Sequence, residues 1–150
     1  IILHGLFGSL DNWYSIGREL SAYCQVHILD QRNHGKSFHD EKHNYDLMSQ
    51  DLYNYISEHK IKDPIILGHS MGGKVVMQCM HEWPERFCKA VVVDIAPKSY
   101  DRHHEMMLSQ MLSLDLVSYQ TLSAIDEALS DAVPDKRIRQ FVMKNIKSMD

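Results

Sequence analysis

Residues Gly68-His69-Ser70-Met71-Gly72-Gly73 set one serine hydroxyl among glycines in the pattern G-x-S-x-G. The apolar run Ile65-Ile66-Leu67 precedes it, and apolar residues at helical spacing follow it. A strand that turns straight into a helix forces the central residue into a strained backbone conformation. Small neighbours at Gly68 and Gly72 let the backbones pass and leave the Ser70 hydroxyl exposed at the sheet edge. The helix N-terminus beneath favours developing negative charge. The chemistry this implies is attack by Ser70 on a carbonyl carbon. The competing reading is a chance glycine-rich turn, and strand, turn and helix in register argue against it.

Attack on a carbonyl creates an oxyanion, which needs backbone N–H donors already aimed at it. The Met71 N–H, next after Ser70, is one candidate. His4-Gly5-Leu6-Phe7-Gly8-Ser9 follows the first apolar run and offers the second, expected from Leu6. The His4 ring is expected to brace this loop rather than to do chemistry. Asp94 ends the apolar run Val91-Val92-Val93, one helix and one strand after Ser70. An acid there can orient a histidine and stabilise its imidazolium. A helix cap or a loop hydrogen bond fits the spacing equally well. The charged stretch Asp30 to Ser37, with Gly35 inside it, reads as a structural turn beside the site.

These residues need a frame. Ile1–Leu3, Val26–Leu29, Pro64–Leu67 and Ala90–Val93 read as short buried strands. A helix capped by Asp11 carries Trp13, Ile16 and Leu20. A second carries Met48, Leu52, Tyr55 and Ile56, and a third runs from Met71 to before Pro84. Gln31 to Asn44 is polar and reads as a loop. Alternating strands and helices, with strands that are continuous apolar runs, predict a parallel α/β sheet covered on both faces. After Pro97 the pattern is helical only, from Arg102 to Lys147, with breaks near Ser118 and at Pro134. The division expected is a core over residues 1–100 and a helical cap over 101–150.

The chain has 150 residues, 44% of them hydrophobic and 24% charged, a balance that excludes disorder. Sixteen basic against 20 acidic residues leave a net charge of −4, which argues against nucleic acid or an anionic membrane as partner. No apolar run approaches the roughly 20 residues that span a bilayer. Cys24, Cys79 and Cys88 match neither a disulfide framework nor a zinc motif and read as reduced core thiols of a cytosol-like compartment. The first residue, Ile1, stands inside an apolar run and the last residues follow a helical pattern, so a longer parent chain is expected.

Together, His4-Gly-Leu-Phe-Gly-Ser-Leu-Asp-Asn12, Asp30-x-Arg-Asn-His-Gly-x-Ser37, Met48-x-Gln-Asp51, Gly68-His-Ser-Met-Gly-Gly-Lys74 and Val93-Asp-Ile-Ala-Pro97 resemble the α/β-hydrolase superfamily. Within it the pattern is similar to small bacterial esterases of the YbfF type, and to mitochondrial abhydrolases and yeast ethanol acetyltransferases. The likeness is close over residues 1 to about 100 and weaker through the cap. It implies a partial α/β-hydrolase fold, a mainly parallel sheet flanked by helices with the start of a helical cap. It further implies Ser70 as nucleophile, Asp94 as triad acid, and Leu6 with Met71 as oxyanion donors. The family's catalytic histidine comes after the cap, so it is expected beyond this chain, as are the outer strands.

Ten histidines are present, and none stands where the family places its base. His69 is expected to point away from the site. His34, His39 and His43 cluster on a polar loop, match no metal spacing and read as solvated. His103 and His104 open the cap and read as surface positions. Met106, Met107, Leu108, Met111 and Leu112 read as packing or as lining of an adaptable acyl pocket.

The function expected is a serine hydrolase for esters or thioesters of short to medium acyl chains, with no metal or organic cofactor. The expected compartment is cytoplasmic, or mitochondrial in a eukaryote. An acyltransferase with an alcohol acceptor uses the same triad. A ligand-binding protein on the same scaffold is the alternative from another class, and it would need neither elbow nor oxyanion loop nor acid. Residues 1–150 alone are expected to be inactive for want of a base.

Overall fold

The structure, a computed structural model, describes residues 1–100 and 105–146. The chain falls into two compact units, Ile1–Pro97 and Lys98–Asp150. In the first, β1 (Ile2–Leu3), β2 (Ile28–Leu29), β3 (Ile65–His69) and β4 (Lys89–Val93) form one parallel sheet in the order β2–β1–β3–β4. Helices α1 (Tyr14–Leu20), α2 (Tyr45–Glu58) and α3 (Met71–Glu82) alternate with the strands. Parallel neighbours need such crossovers, because the chain must return to the same end of the sheet.

Register sets which residues meet. Leu3 pairs with both Leu29 and Gly68, and Gly68 pairs with Val92. The four strands therefore finish close to one row, and His4, Asp30, Ser70 and Asp94 all leave the same edge. From β1 the chain winds to one side to make β2, then crosses to the other side for β3 and β4. The reversal lies between β1 and β3, the position at which open α/β sheets commonly bind ligands outside the carboxyl ends of their strands.

The core joins α2 and α3 to the sheet. Met48, Leu52 and Ile56 of α2 are buried with Leu3, Ile66, Val75, Val76, Cys79 and Phe87. Asn44 starts α2 by accepting a hydrogen bond from the Leu47 N–H at 2.9 Å, which satisfies one of the helix's orphan donors.

Three expectations are corrected here. The first helix is entered through Ser9 and a 3-10 turn at Leu10–Trp13, not capped by Asp11, and it buries Gly17 while Ile16 and Leu20 are exposed. Gly17 sits so close to Ile28 that an added Cβ would lie 2.5 Å from its Cδ1. Close approach at the glycine, not an apolar stripe, docks α1. The sheet is not covered throughout, since Val91 and Val92 of β4 are exposed. That strand stands at the sheet edge with β3 as its partner. Of the cysteines only Cys79 is buried, and Cys24 and Cys88 are exposed. Burial pushes the Cys79 thiol up to about 12, so it stays protonated.

The second unit contains α4 (Glu105–Ser113), α5 (Leu122–Ala128) and α6 (Lys136–Met143). Asp135 caps α6 by accepting from the Arg137 and Ile138 N–H groups. Arg139 of α6 is buried, pairs with Asp126 of α5 at 2.9 Å and donates to the Val133 carbonyl at 2.7 Å. Ile125, Leu129, Val133 and Val142 are buried in this unit. Among the described residues no helix is long and apolar enough to cross a membrane.

Candidate active site

Ser70 occupies the turn between β3 and α3 with φ 50° and ψ −112°. A non-glycine residue there carries strain of roughly 1–3 kcal/mol, which the surrounding structure must impose. Two glycines make the turn sterically possible. A Cβ on Gly68 would lie 2.1 Å from the Gly72 carbonyl oxygen, and a Cβ on Gly72 would lie 2.6 Å from that of Leu3. The Ser70 N–H donates to the Val93 carbonyl at 3.0 Å, which ties the turn to β4. Met71 is the first residue of α3, so its N–H belongs to the orphan donors of a helix start.

The loop after β1 lies against this turn. A Cβ on Gly5 would fall 3.3 Å from the Ser70 Cβ. The loop closes on itself, with the Gly8 N–H donating to the Gly5 carbonyl at 3.0 Å, and Phe7 takes φ 60°. Leu6 stands between them.

Side chains continue the pairing of β1 and β2 beyond the strand ends. The Gln31 N–H donates to His4 Nε2 at 3.1 Å, and Gln31 Nε2 donates to the His4 carbonyl at 2.6 Å. The Phe7 N–H donates to His34 Nε2 at 3.3 Å. Asp30 accepts from the Leu10 N–H at 2.7 Å and from the Lys36 N–H at 2.9 Å. Arg32 holds the second loop to α2 through a bidentate pair with Asp51 at 2.6 and 2.7 Å. The stretch Asp30 to Ser37 is thus a structural turn, as its composition suggests, and His4 is a fully buried brace. Burial pushes the His4 ring below its ordinary value of 6.5, opposed by its bond to the Gly5 carbonyl.

His34 corrects an expectation. It is not solvated but 8% exposed, with its ring 5.1 Å from that of His4. Sequence reasoning missed it because its loop is polar and its partner, Phe7, is remote along the chain. Among the described residues no cluster of histidine, cysteine and carboxylate can hold a metal ion.

On the other side of Ser70, Asp94 follows β4 with φ 55° and its carboxylate is 86% exposed. It lies 3.8 Å from His69 Nε2. His69 was expected to turn away from the site. Alternation along β3 does send it to the face opposite Gly68 and α3, but its ring remains at the rim. A Cβ on Gly5 would lie 2.9 Å from His69 Nδ1. His103 and His104 lie outside the described residues. In the second unit Met107 is buried, Leu108 and Leu112 are exposed, and the Met106 side chain is outside the described set. A cavity of about 310 Å³ opens beside β2 and α2, lined by Leu29, Met48, Leu52 and Tyr55 with Arg32 and Asp51. Ser70 and Asp94 take no part in it.

A strained serine at the sheet's winding reversal, with the loop after β1 on one side and the turn after β4 on the other, has the arrangement that the α/β hydrolase fold builds. The model of that fold family matches residues 1–124. The chain belongs to the α/β hydrolase family. It is 39% identical to a marine microorganism esterase of known structure, with a TM-score of 0.93, over 99% of this chain and 59% of that one. It is 36% identical to a probable alcohol acetyltransferase of Saccharomyces cerevisiae, over 99% of this chain and 47% of that protein. It is 34% identical to esterase YbfF of Escherichia coli, over 97% of this chain and 58% of that protein. The chain spans about half the length of the curated relatives it matches.

Proposed function

We propose that this chain carries the nucleophile half of a serine hydrolase for carboxylic esters or thioesters of short to medium acyl chains. The observation that carries the reading is the backbone of Ser70, held at φ 50° with the Gly5 loop against it. In this reading Ser70 Oγ attacks the acyl carbon while a histidine supplied from outside these residues takes its proton. The Leu6 and Met71 N–H groups receive the oxyanion. The histidine returns the proton to the leaving group, and water releases the acid from the acyl-enzyme. Asp94 holds the histidine in the tautomer that accepts the proton. Esterase names among the relatives support the same reading.

The test is made on the full-length protein. A fluorophosphonate should label Ser70, and Ser70→Ala should lower p-nitrophenyl ester hydrolysis by about 10⁴-fold or more. Retained turnover in Ser70→Ala sinks the assignment. The likeness to a probable alcohol acetyltransferase favours a second reading, in which an alcohol replaces water as acceptor. Adding ethanol to the assay and measuring ethyl ester against free acid separates the two.

A further inference from the structure

We propose that His34 is a positioning residue which, with His4, pins two successive peptide planes of the loop after β1 and so sets the direction of the Leu6 N–H. The inference rests on the proposed role of Leu6 as an oxyanion donor. His4 Nδ1 lies 2.8 Å from the Gly5 carbonyl, which also accepts from the Gly8 N–H at 3.0 Å. A peptide unit is planar and trans, so its C=O and N–H point in opposite directions. Anchoring the Gly5 carbonyl on one side therefore sends the Leu6 N–H to the other.

The next peptide is anchored by its donor, the Phe7 N–H, on His34 Nε2. This second anchor matters because Phe7 sits at φ 60°. A left-handed backbone costs a non-glycine residue about 1–2 kcal/mol, a strain that a relaxed loop would release by turning the peptides on either side.

Both rings can act only in one tautomer. A backbone N–H can only donate, so Nε2 of His4 and of His34 must be unprotonated acceptors. The proton then sits on Nδ1, where His4 donates to the Gly5 carbonyl and His34 to the Arg32 carbonyl at 2.9 Å. Arg32 is buried and clamped to Asp51, so the His34 ring hangs from a fixed point on α2. The hold on Leu6 thus runs from the helix through Arg32 and His34 to Phe7.

The test uses the full-length protein and a p-nitrophenyl ester. Losing an oxyanion donor costs roughly 10²–10³-fold in kcat, so misaiming one should cost about 10–100-fold. We expect that loss in His34→Ala, with KM within about twofold and phenylboronic acid weakened by a similar factor. His34→Gln keeps an acceptor for the Phe7 N–H and should recover most of kcat. Unchanged kcat in His34→Ala, with only a lower melting temperature, overturns the inference. Ring ¹⁵N shifts at neutral pH should show the His34 proton on Nδ1, and a proton on Nε2 overturns it even if His34→Ala fails to fold. Ser70→Ala run in parallel separates the two levels. If Ser70 is essential and His34 silent, only this inference fails, whereas an active Ser70→Ala removes the site itself.

Discussion

The two flanks of Ser70 are built differently. On the β1 side, the loop from His4 to Leu10 is held at three points by the loop after β2, through buried His4, His34 and Gln31 and through Asp30. On the β4 side, Asp94 stands on a left-handed turn with an exposed carboxylate and His69 3.8 Å away. The first flank is held by buried and part-buried hydrogen bonds. The second is positioned by backbone alone, tied to Ser70 through the Val93 carbonyl. Damage on the first side should therefore spread into stability, and damage on the second should stay confined to chemistry.

Asp94→Asn is the sharpest probe of that contrast. In the full-length protein the proposed triad predicts a loss of turnover of roughly 10⁴-fold, because the amide would favour the wrong histidine tautomer. The melting temperature, measured beside turnover, separates lost chemistry from lost fold. A nearly silent Asp94→Asn would break the comparison and place the acid on another strand.

Gly68→Ala should damage both sides together. Its Cβ meets backbone, not a flexible side chain, at 2.1 Å, and the shift needed should cost about 3 kcal/mol, the upper end of the usual range for overpacking. Fluorophosphonate labelling of Ser70 and urea unfolding should fail in parallel. Normal labelling in a destabilised Gly68→Ala would show that the turn tolerates the shift.

Arg32→Met tests the first flank alone. Removing the guanidinium leaves Asp51 unpaired and part-buried, a cost of about 2–3 kcal/mol that lies below the range for a fully buried pair. Urea unfolding measures it, and a change below about 0.5 kcal/mol would show that the pair holds nothing.

The smallest effect is a pH slope. Burial lowers His4 from 6.5, and His27 and His43 are lowered as well, each chiefly by burial. A depressed basic group binds its proton more readily in the unfolded chain, so stability rises with pH. The unfolding midpoint should fall as pH drops below 6.5, and His4→Asn should flatten part of that slope. An unchanged slope in His4→Asn would show that the ring does not titrate across this window.

Much of the site is legible because its causes are local. The elbow needs a strand, a serine and two glycines within a few residues, and all stand together from Ile65 to Gly73. The loop at Gly5 and the turn at Asp94 follow apolar runs that the parallel register brings to one edge. His34 was not legible. A histidine in a polar loop is solvated unless something covers it, and its cover comes from His4 and Phe7 on a different loop. Val91 and Val92 are exposed because β4 has β3 as its partner and stands at the edge of this sheet, which agrees with the expectation that outer strands lie beyond these residues.

Sequence by itself determined the elements, the serine's turn and the family, since each depends on contacts within one helix turn or one strand length. Tertiary structure alone decided which loops grip each other, and that His4 and His34 are buried between them. Those depend on the strand order β2–β1–β3–β4. That order places the loops after β1 and β2 side by side and makes β4 an edge. A hydrogen bond forms between groups that are near in space, and strand order sets nearness in space through register rather than through distance along the chain.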